Sequence, residues 1–306
     1  MSDRNPPVIG FVGLGVMGGP MCRNMALKHA GDVIAFDVTE EAFNSLDGTR
    51  AIRAANLAEI AQRADFVFLS LPGGPQVERV CLGEQGITEG IAEGDHKPKA
   101  IIDLSTTTVE SARSVAQRLA KTGVDFADAP VARTREAAQR GELSIMVGGS
   151  KALFATIEPL LRYIGTDVTH CGETGCGQVV KLANNALVFE NTLALAEMMV
   201  IAERAGVNPE VLLDAVSKGS GDSFALRNHG RKSLLPRNYP EKSFPPEYAV
   251  KDLGYVLELA GQVGVTARVA QLAERYYDTT AKEGWAGRYY PAVMEIIDKN
   301  KNLTEK

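Results

Sequence analysis

Cysteine is scarce in this chain and basic runs are absent. The four cysteines, Cys22, Cys81, Cys171 and Cys176, form no CxxC pair and have no histidine at metal-ligating spacing. That excludes a disulfide framework and a zinc site, and leaves reduced thiols. No cluster of Lys or Arg stands out and the net charge is −5, so no field exists to hold nucleic acid. No apolar stretch reads as long enough to span a membrane. The opening Met1-Ser-Asp-Arg-Asn-Pro-Pro lacks the apolar core of a signal peptide, which gives a cytoplasmic expectation. Neither repeats nor low-complexity segments occur. None of the four histidines (His29, His96, His170, His229) has a partner spaced for metal or nucleophile chemistry, and Ser105 lacks the G-x-S-x-G elbow.

What is present is ordered. Residues Val8–Gly18 read VIGFVGLGVMG, a short apolar run followed by Gly13-x-Gly15-x-x-Gly18. The first glycine permits a tight turn, the second lets backbone approach a pyrophosphate, and the third lets helix pack on strand. The helix start then offers N–H groups to phosphate. About twenty residues on, Asp37 closes a second apolar run, VIAF, where an acid accepts hydrogen bonds from a free ribose 2′-hydroxyl. The following Val38-Thr39-Glu40 holds no Arg for a 2′-phosphate, so the site favours NAD over NADP. The alternative is a strand-end Asp that caps a turn.

At 306 residues the chain exceeds one compact core, so two domains are expected. Apolar runs at 8–12, 33–36, 66–71, 100–104, 124–127, 144–147 and 168–170 alternate with helical patterns. That alternation predicts an α/β domain with a Rossmann-type, doubly wound, mostly parallel sheet over residues 1–173. Met17, Met21 and Met25 form a core stripe on one helix face. Thr107-Thr108-Val109-Glu110 fits a capping box. From about 178 to 205 there is no strand signal and no internal Gly or Pro. A helix of about 28 residues is about 42 Å long, long enough to link two domains. Further helices are expected at 209–218, 251–263, 267–283 and 290–300. They make an all-α substrate and dimerisation domain over 174–306, with an irregular four-proline connection at 234–246 and a polar tail from 299.

Lys181 and Asn185 are four apart and share a face of the long helix. A desolvated lysine beside a cofactor serves as a general acid or base, which hydride transfer at an alcohol carbon requires. Taken alone, the pair also fits a solvated face. The motifs GFVGLGVMGGPM, LPGG from Leu71, DLSTTT from Asp103, DAPV from Asp128, GELSIMVGG from Gly141, GCGQVVKLANN from Gly175 and KDLGYVLELA from Lys251 span nearly the whole chain. With them the sequence resembles the β-hydroxyacid dehydrogenase family of 3-hydroxyisobutyrate dehydrogenases and tartronate semialdehyde reductases. The resemblance implies Lys181 as acid/base with Asn185 beside it on the substrate. Gly13, Leu14, Gly15, Val16 and Met17 would line the dinucleotide, with Asp37 on the ribose. Leu71 and Pro72 would cover the cofactor, and Thr106 would lie near the nicotinamide. Lys251, with Asp252 nearby, would come from the second domain. Its alternative is a charge pair at a helix start.

One departure stands out. Most relatives carry Ser-Gly-Gly after DAPV, where the hydroxyl and backbone N–H groups hold the substrate carboxylate. Here Ala132-Arg133-Thr134 follows, then Arg135, and the variant is similar to sulfolactaldehyde reductases. A guanidinium binds an acid through two parallel hydrogen bonds, so Arg133 is read as a substrate contact. Arg135 is read as pointing to solvent or pairing with Glu136 or Glu142. The expectation is an NAD-dependent oxidoreductase acting on a small, anionic 3-hydroxy acid or its semialdehyde. The alternatives are a sulfolactaldehyde or succinic-type semialdehyde reductase of the same family and a non-catalytic dinucleotide-binding module. No metal, nucleic acid or membrane partner is expected, and the chain is expected as a homodimer or homotetramer.

Overall fold

The computed structural model describes residues 6–241 and 243–299. By its internal contacts the chain divides into two units after Lys181. In the first unit β1 (Ile9–Val12), β2 (Val33–Phe36), β3 (Ile52–Arg53), β4 (Phe66–Leu69), β5 (Ala100–Asp103) and β6 (Asp125–Asp128) pair in parallel, in the order β3-β2-β1-β4-β5-β6. This is the doubly wound order with its reversal between β1 and β4, where ligands meet the carboxyl ends of strands. The sheet continues through β8 (Leu143–Gly148), antiparallel to β6 and to the two-residue β7 (Val131–Ala132). It ends with β9 (Gly165–Gly172), parallel to β8.

Central strands are buried on both faces, as their unbroken apolar runs require. Ile9, Phe11 and Ile102 pack with Met21 and Met25 of α1 (Gly18–Lys28) on one side. On the other, Val12, Ile34 and Ile101 pack with Ile60 of α2 (Leu57–Arg63), Val77 of α3 (Gly74–Leu82), Ile87 of α4 (Ile87–Ala92) and Val115 of α5 (Val109–Ala120). Helix starts follow local polar caps: Asn56, Thr108 and Ser150 accept from the amides of Glu59, Ser111 and Leu153. The cap of α5 is thus Thr108, one residue later than the capping box Thr107–Glu110 implied. β4 ends two residues early because Ser70-Leu71 turns out of the sheet. The short strands β3 and β7 have too little sequence to show a period.

α8 (Cys176–Arg204) begins in the first unit and continues in the second. It corrects one expectation, since it has the length and hydropathy of a membrane span, its charged side chains being few and spaced out. In that window 44% of the residues are buried inside the protein. Phe189, Leu193, Ala196 and Met199 enter the core of the second unit with Tyr277 and Tyr290. Around α8 in that unit lie α9 (Pro209–Val216), a π-helical segment at Ala225–Leu234, α10 (Pro246–Gln262), α11 (Arg268–Thr280) and α12 (Val293–Asp298). The expected helix at 290–300 splits into a 3-10 turn at Tyr290–Ala292 and α12; position 300 and the rest of the tail lie outside the described residues. α10 starts at Pro246, five residues before the expected start, because proline suits a helix's first turn. The thiols of all four cysteines are free, Cys22 and Cys81 in the core.

Candidate active site

The turn after β1 requires its glycines. Gly13 has φ +96°, and a Cβ there would lie 2.2 Å from the Ser70 carbonyl oxygen; a Cβ on Gly18 would lie 2.0 Å from that of Gly13. A Cβ on Gly15 would meet nothing within 4 Å, and Gly15 and Val16 are exposed. The turn therefore presents open backbone at the start of α1, the cradle a diphosphate needs. Leu14 is buried and Met17 half-buried against the core. A pocket of about 580 Å³ opens beside the turn, lined among others by Leu14, Gly15, Val16, Pro20, Arg23 and Arg135.

Asp37 ties the end of β2 to this turn: one carboxylate oxygen accepts from the Leu14 amide at 2.6 Å, the other from the Thr39 amide at 2.8 Å. The turn-capping role is therefore real, and each oxygen keeps a lone pair for a ribose hydroxyl. Arg53 is a nearby cation that the sequence reading missed. It sits on β3 opposite Ala35, stacks on Phe43 at 4.4 Å, and gives both guanidinium nitrogens to Glu40.

Beyond β4 and β5, Leu71 and Thr106 are half-buried and Pro72 is exposed. Their loops are joined, since the Leu71 amide donates to Ser105 Oγ at 2.9 Å and the Ser105 amide to Asp103 Oδ1 at 2.9 Å. Asp103 is fully buried and its other oxygen has no hydrogen-bond partner. Burial pushes its carboxyl up to about 7, and the neighbouring Asp128 adds to the rise.

Lys181 lies near the start of α8 and is 8% exposed. Two residues without an assigned role in the sequence reading organise that start. Asp128, at the end of β6, accepts from the Gly175 amide at 2.6 Å and the Gln178 amide at 2.8 Å. Gln178 donates to the Ser105 carbonyl at 2.8 Å and accepts from the Thr107 amide at 3.1 Å.

Of the two arginines of the 132–135 turn, Arg135 is exposed as expected, whereas the Arg133 guanidinium is held by other partners. Arg133 adopts φ +87°, a left-handed conformation that favours glycine. Its guanidinium runs along the sheet edge and donates to the Glu142 carbonyl at 2.6 Å, Thr166 Oγ1 at 3.0 Å and Asp167 at 2.7 Å. Its donors are thus committed away from an anion on the turn. Arg135 is exposed and lines the pocket beside Gly15 and Val16. Ala132 is buried, and Thr134 caps α6 (Arg135–Arg140).

In the second unit, Asn185 is buried one turn beyond Lys181 on α8 and donates to Asp252 Oδ2 at 2.7 Å. Lys251 pairs with Asp252 at 3.3 Å and lies over the rings of Tyr248 and Tyr255 at 5.8 and 5.4 Å. Both sit in the second turn of α10, so the helix-start charge pair is present as well. Among the described residues, no group of three or more His, Cys, Asp or Glu is placed to hold a metal ion.

The profile for the NAD binding domain of 6-phosphogluconate dehydrogenase matches residues 8–172, and that for the NAD-binding domain of NADP-dependent 3-hydroxyisobutyrate dehydrogenase matches 175–297. The chain is 33% identical to 2-(hydroxymethyl)glutarate dehydrogenase of Eubacterium barkeri over 95% of each chain. It is 29% identical to 2-hydroxy-3-oxopropionate reductase of Escherichia coli over 96% of this chain and 98% of that one. The solved structure of Mycobacterium tuberculosis 3-hydroxyisobutyrate dehydrogenase with L-serine superposes with a TM-score of 0.86 at 27% identity, covering 96% and 99% of the two chains. A glycine turn shaped for a dinucleotide, a buried lysine on α8 and whole-length similarity lead to one conclusion: the chain belongs to the β-hydroxyacid dehydrogenase family and is an NAD(P)-dependent oxidoreductase.

Proposed function

We propose that the protein oxidises a small anionic 3-hydroxy acid, or reduces the matching semialdehyde, with NAD as cofactor. A bound nicotinamide would supply or accept the hydride. Lys181 takes the substrate hydroxyl proton during oxidation and returns it during reduction, and Asn185 holds the same oxygen. The observation that carries the reading is Lys181 itself, a buried lysine on a helix whose start is bonded to the loop bearing Thr106.

The turn Ala132-Arg133-Thr134 grips the acid group through backbone N–H groups and the Thr134 hydroxyl, since the Arg133 guanidinium is bound to Asp167 and Glu142. Gly13 to Met17, Leu71, Pro72, Thr106 and Lys251 face the cofactor, and Asp37 takes the ribose. NAD is preferred because Asp37 and Glu40 both repel a 2′-phosphate and Arg53 is occupied by Glu40. The loss of both turn glycines supports a second reading, a semialdehyde bearing a sulfonate.

A screen of NADH formation over 3-hydroxyisobutyrate, L-serine, glycerate, 4-hydroxybutyrate, threonate and dihydroxypropanesulfonate separates these substrates. Lys181→Ala should keep NADH binding and lose turnover; equal turnover would remove Lys181 from the mechanism.

A homodimer or homotetramer built on the second unit fits its exposed apolar side chains: Leu187, Met198 and Ile201 on α8, and Val269 and Leu272 on α11. A monomer mass by light scattering at micromolar concentration would overturn this.

A further inference from the structure

α8 follows Gly175, at φ +92°, and carries no acidic residue in its first turn, so an acceptor from another element can serve its first N–H groups. Asp128 supplies it across 47 residues, one oxygen to the Gly175 amide and the other to the Gln178 amide. The fit leaves no spare room. A Cβ on Gly177 would lie 2.4 Å from the Met146 carbonyl oxygen and 2.8 Å from that of Asp128, and one on Gly148 would lie 2.5 Å from the Asp128 carboxylate. Burial lifts this carboxyl to about 6 while the backbone N–H groups pull it down, so at neutral pH it is the ionised acceptor that the helix start requires.

Gln178, fully buried, carries the connection onward. Its amide satisfies the carbonyl of Ser105 and the N–H of Thr107, the residues on either side of Thr106. Lys181 stands one turn further along the same helix face. The ends of β5 and β6 and the first turn of α8 are thereby joined by four hydrogen bonds, all of them buried.

We propose that Asp128 and Gln178 are positioning residues: together they brace the start of α8 against the 105–107 loop and so fix where Lys181 stands relative to the reacting atoms. This rests on the reading of Lys181 as the acid/base. A reacting group displaced by about 1 Å loses up to about a hundredfold in rate, while the glycine turn that holds the cofactor lies on other strands.

The variants Asp128→Asn and Gln178→Leu test the brace. The asparagine turns an NH₂ toward a backbone donor; the leucine removes both bonds to the loop at similar volume. Amide hydrogen exchange is read at residues 175 and 178, NADH affinity by fluorescence, and kcat and KM with the hydroxy acid that turns over fastest. The expected result is faster exchange, NADH affinity within about threefold of wild type, KM within about threefold, and kcat lower by about ten- to a hundredfold. Unchanged exchange in both variants overturns the proposal, as does faster exchange with kcat intact or with only KM or NADH affinity altered. Full turnover by Lys181→Ala removes the acid/base reading instead, and the exchange rates still report on the brace.

Discussion

The side-chain amide of Asn185 donates to Asp252 at 2.7 Å, and both residues are buried. This bond sets which way the Asn185 amide faces, because Asp252 accepts only from its NH₂. The same carboxylate pairs with Lys251. Asp252→Ala therefore removes the acceptor for two polar groups at once. Stability should fall by about 1–3 kcal/mol in denaturant titrations, and kcat by about tenfold as the amide loses its orientation. Wild-type kcat in a folded variant would separate Asn185 from the reacting oxygen.

Arg133→Gly tests the turn. A non-glycine residue at φ +87° costs roughly 1–2 kcal/mol, and the Arg133–Asp167 pair, with 43% and 58% of the side chains exposed, is screened by solvent and offsets little of that cost. The glycine variant should match or exceed wild-type stability in thermal melts, with the substrate KM within about threefold. A large rise in KM with the fold intact would return the guanidinium to the substrate.

The cofactor preference should respond to Glu40 and Asp37. In the double variant Asp37→Ser, Glu40→Ala, two carboxylates disappear and Arg53 is released. The ratio of NADPH to NADH affinity, read by fluorescence titration, should rise at least about tenfold, since a guanidinium takes a phosphate through two bonds. An unchanged ratio would show that Arg53 does not reach the 2′ position.

Asp103 makes stability pH-dependent. Burial raises its carboxyl to about 7, so the folded chain binds this proton more tightly than the unfolded chain, whose carboxyl titrates near 3.9. Its contribution is therefore greatest below about pH 4, declines as pH rises toward 7 and is flat above. His229, lowered to about 4 by burial, acts in the opposite sense over part of that range. The informative quantity is the Tm difference between Asp103→Asn and wild type. It should move in favour of the asparagine variant by several degrees from pH 4 to pH 8; a constant difference would show that Asp103 does not titrate there.

The parts of the site legible in the sequence are local ones. Gly13, Gly15 and Gly18 act within six residues, and the alternation of apolar runs with helical patterns is enough to expect a doubly wound, mostly parallel sheet, though not its strand order. Lys181 stood out through the family motif around it. The parts that stayed hidden are pairings between distant positions: Asp128 with Gly175, Gln178 with Ser105, Asn185 with Asp252, and Arg53 with Glu40. Buried polar groups such as Asp128, Gln178 and Asn185 favour a partner, yet nothing in local spacing says which. Arg133 shows the same limit, because its direction depends on a left-handed backbone conformation and on Asp167, 34 residues away.

β9 closes one end of the sheet, and a terminal strand of eight residues is a template on which another chain can add. Here its outer positions carry Thr166, Asp167 and Thr169, and Arg133 and Arg162 reach to Thr166 and Asp167. Mixed charge and already occupied acceptors make this edge a poor seed for cross-strand growth. Arg133, on the turn before α6, thus also lays a charged side chain along the last strand of the sheet.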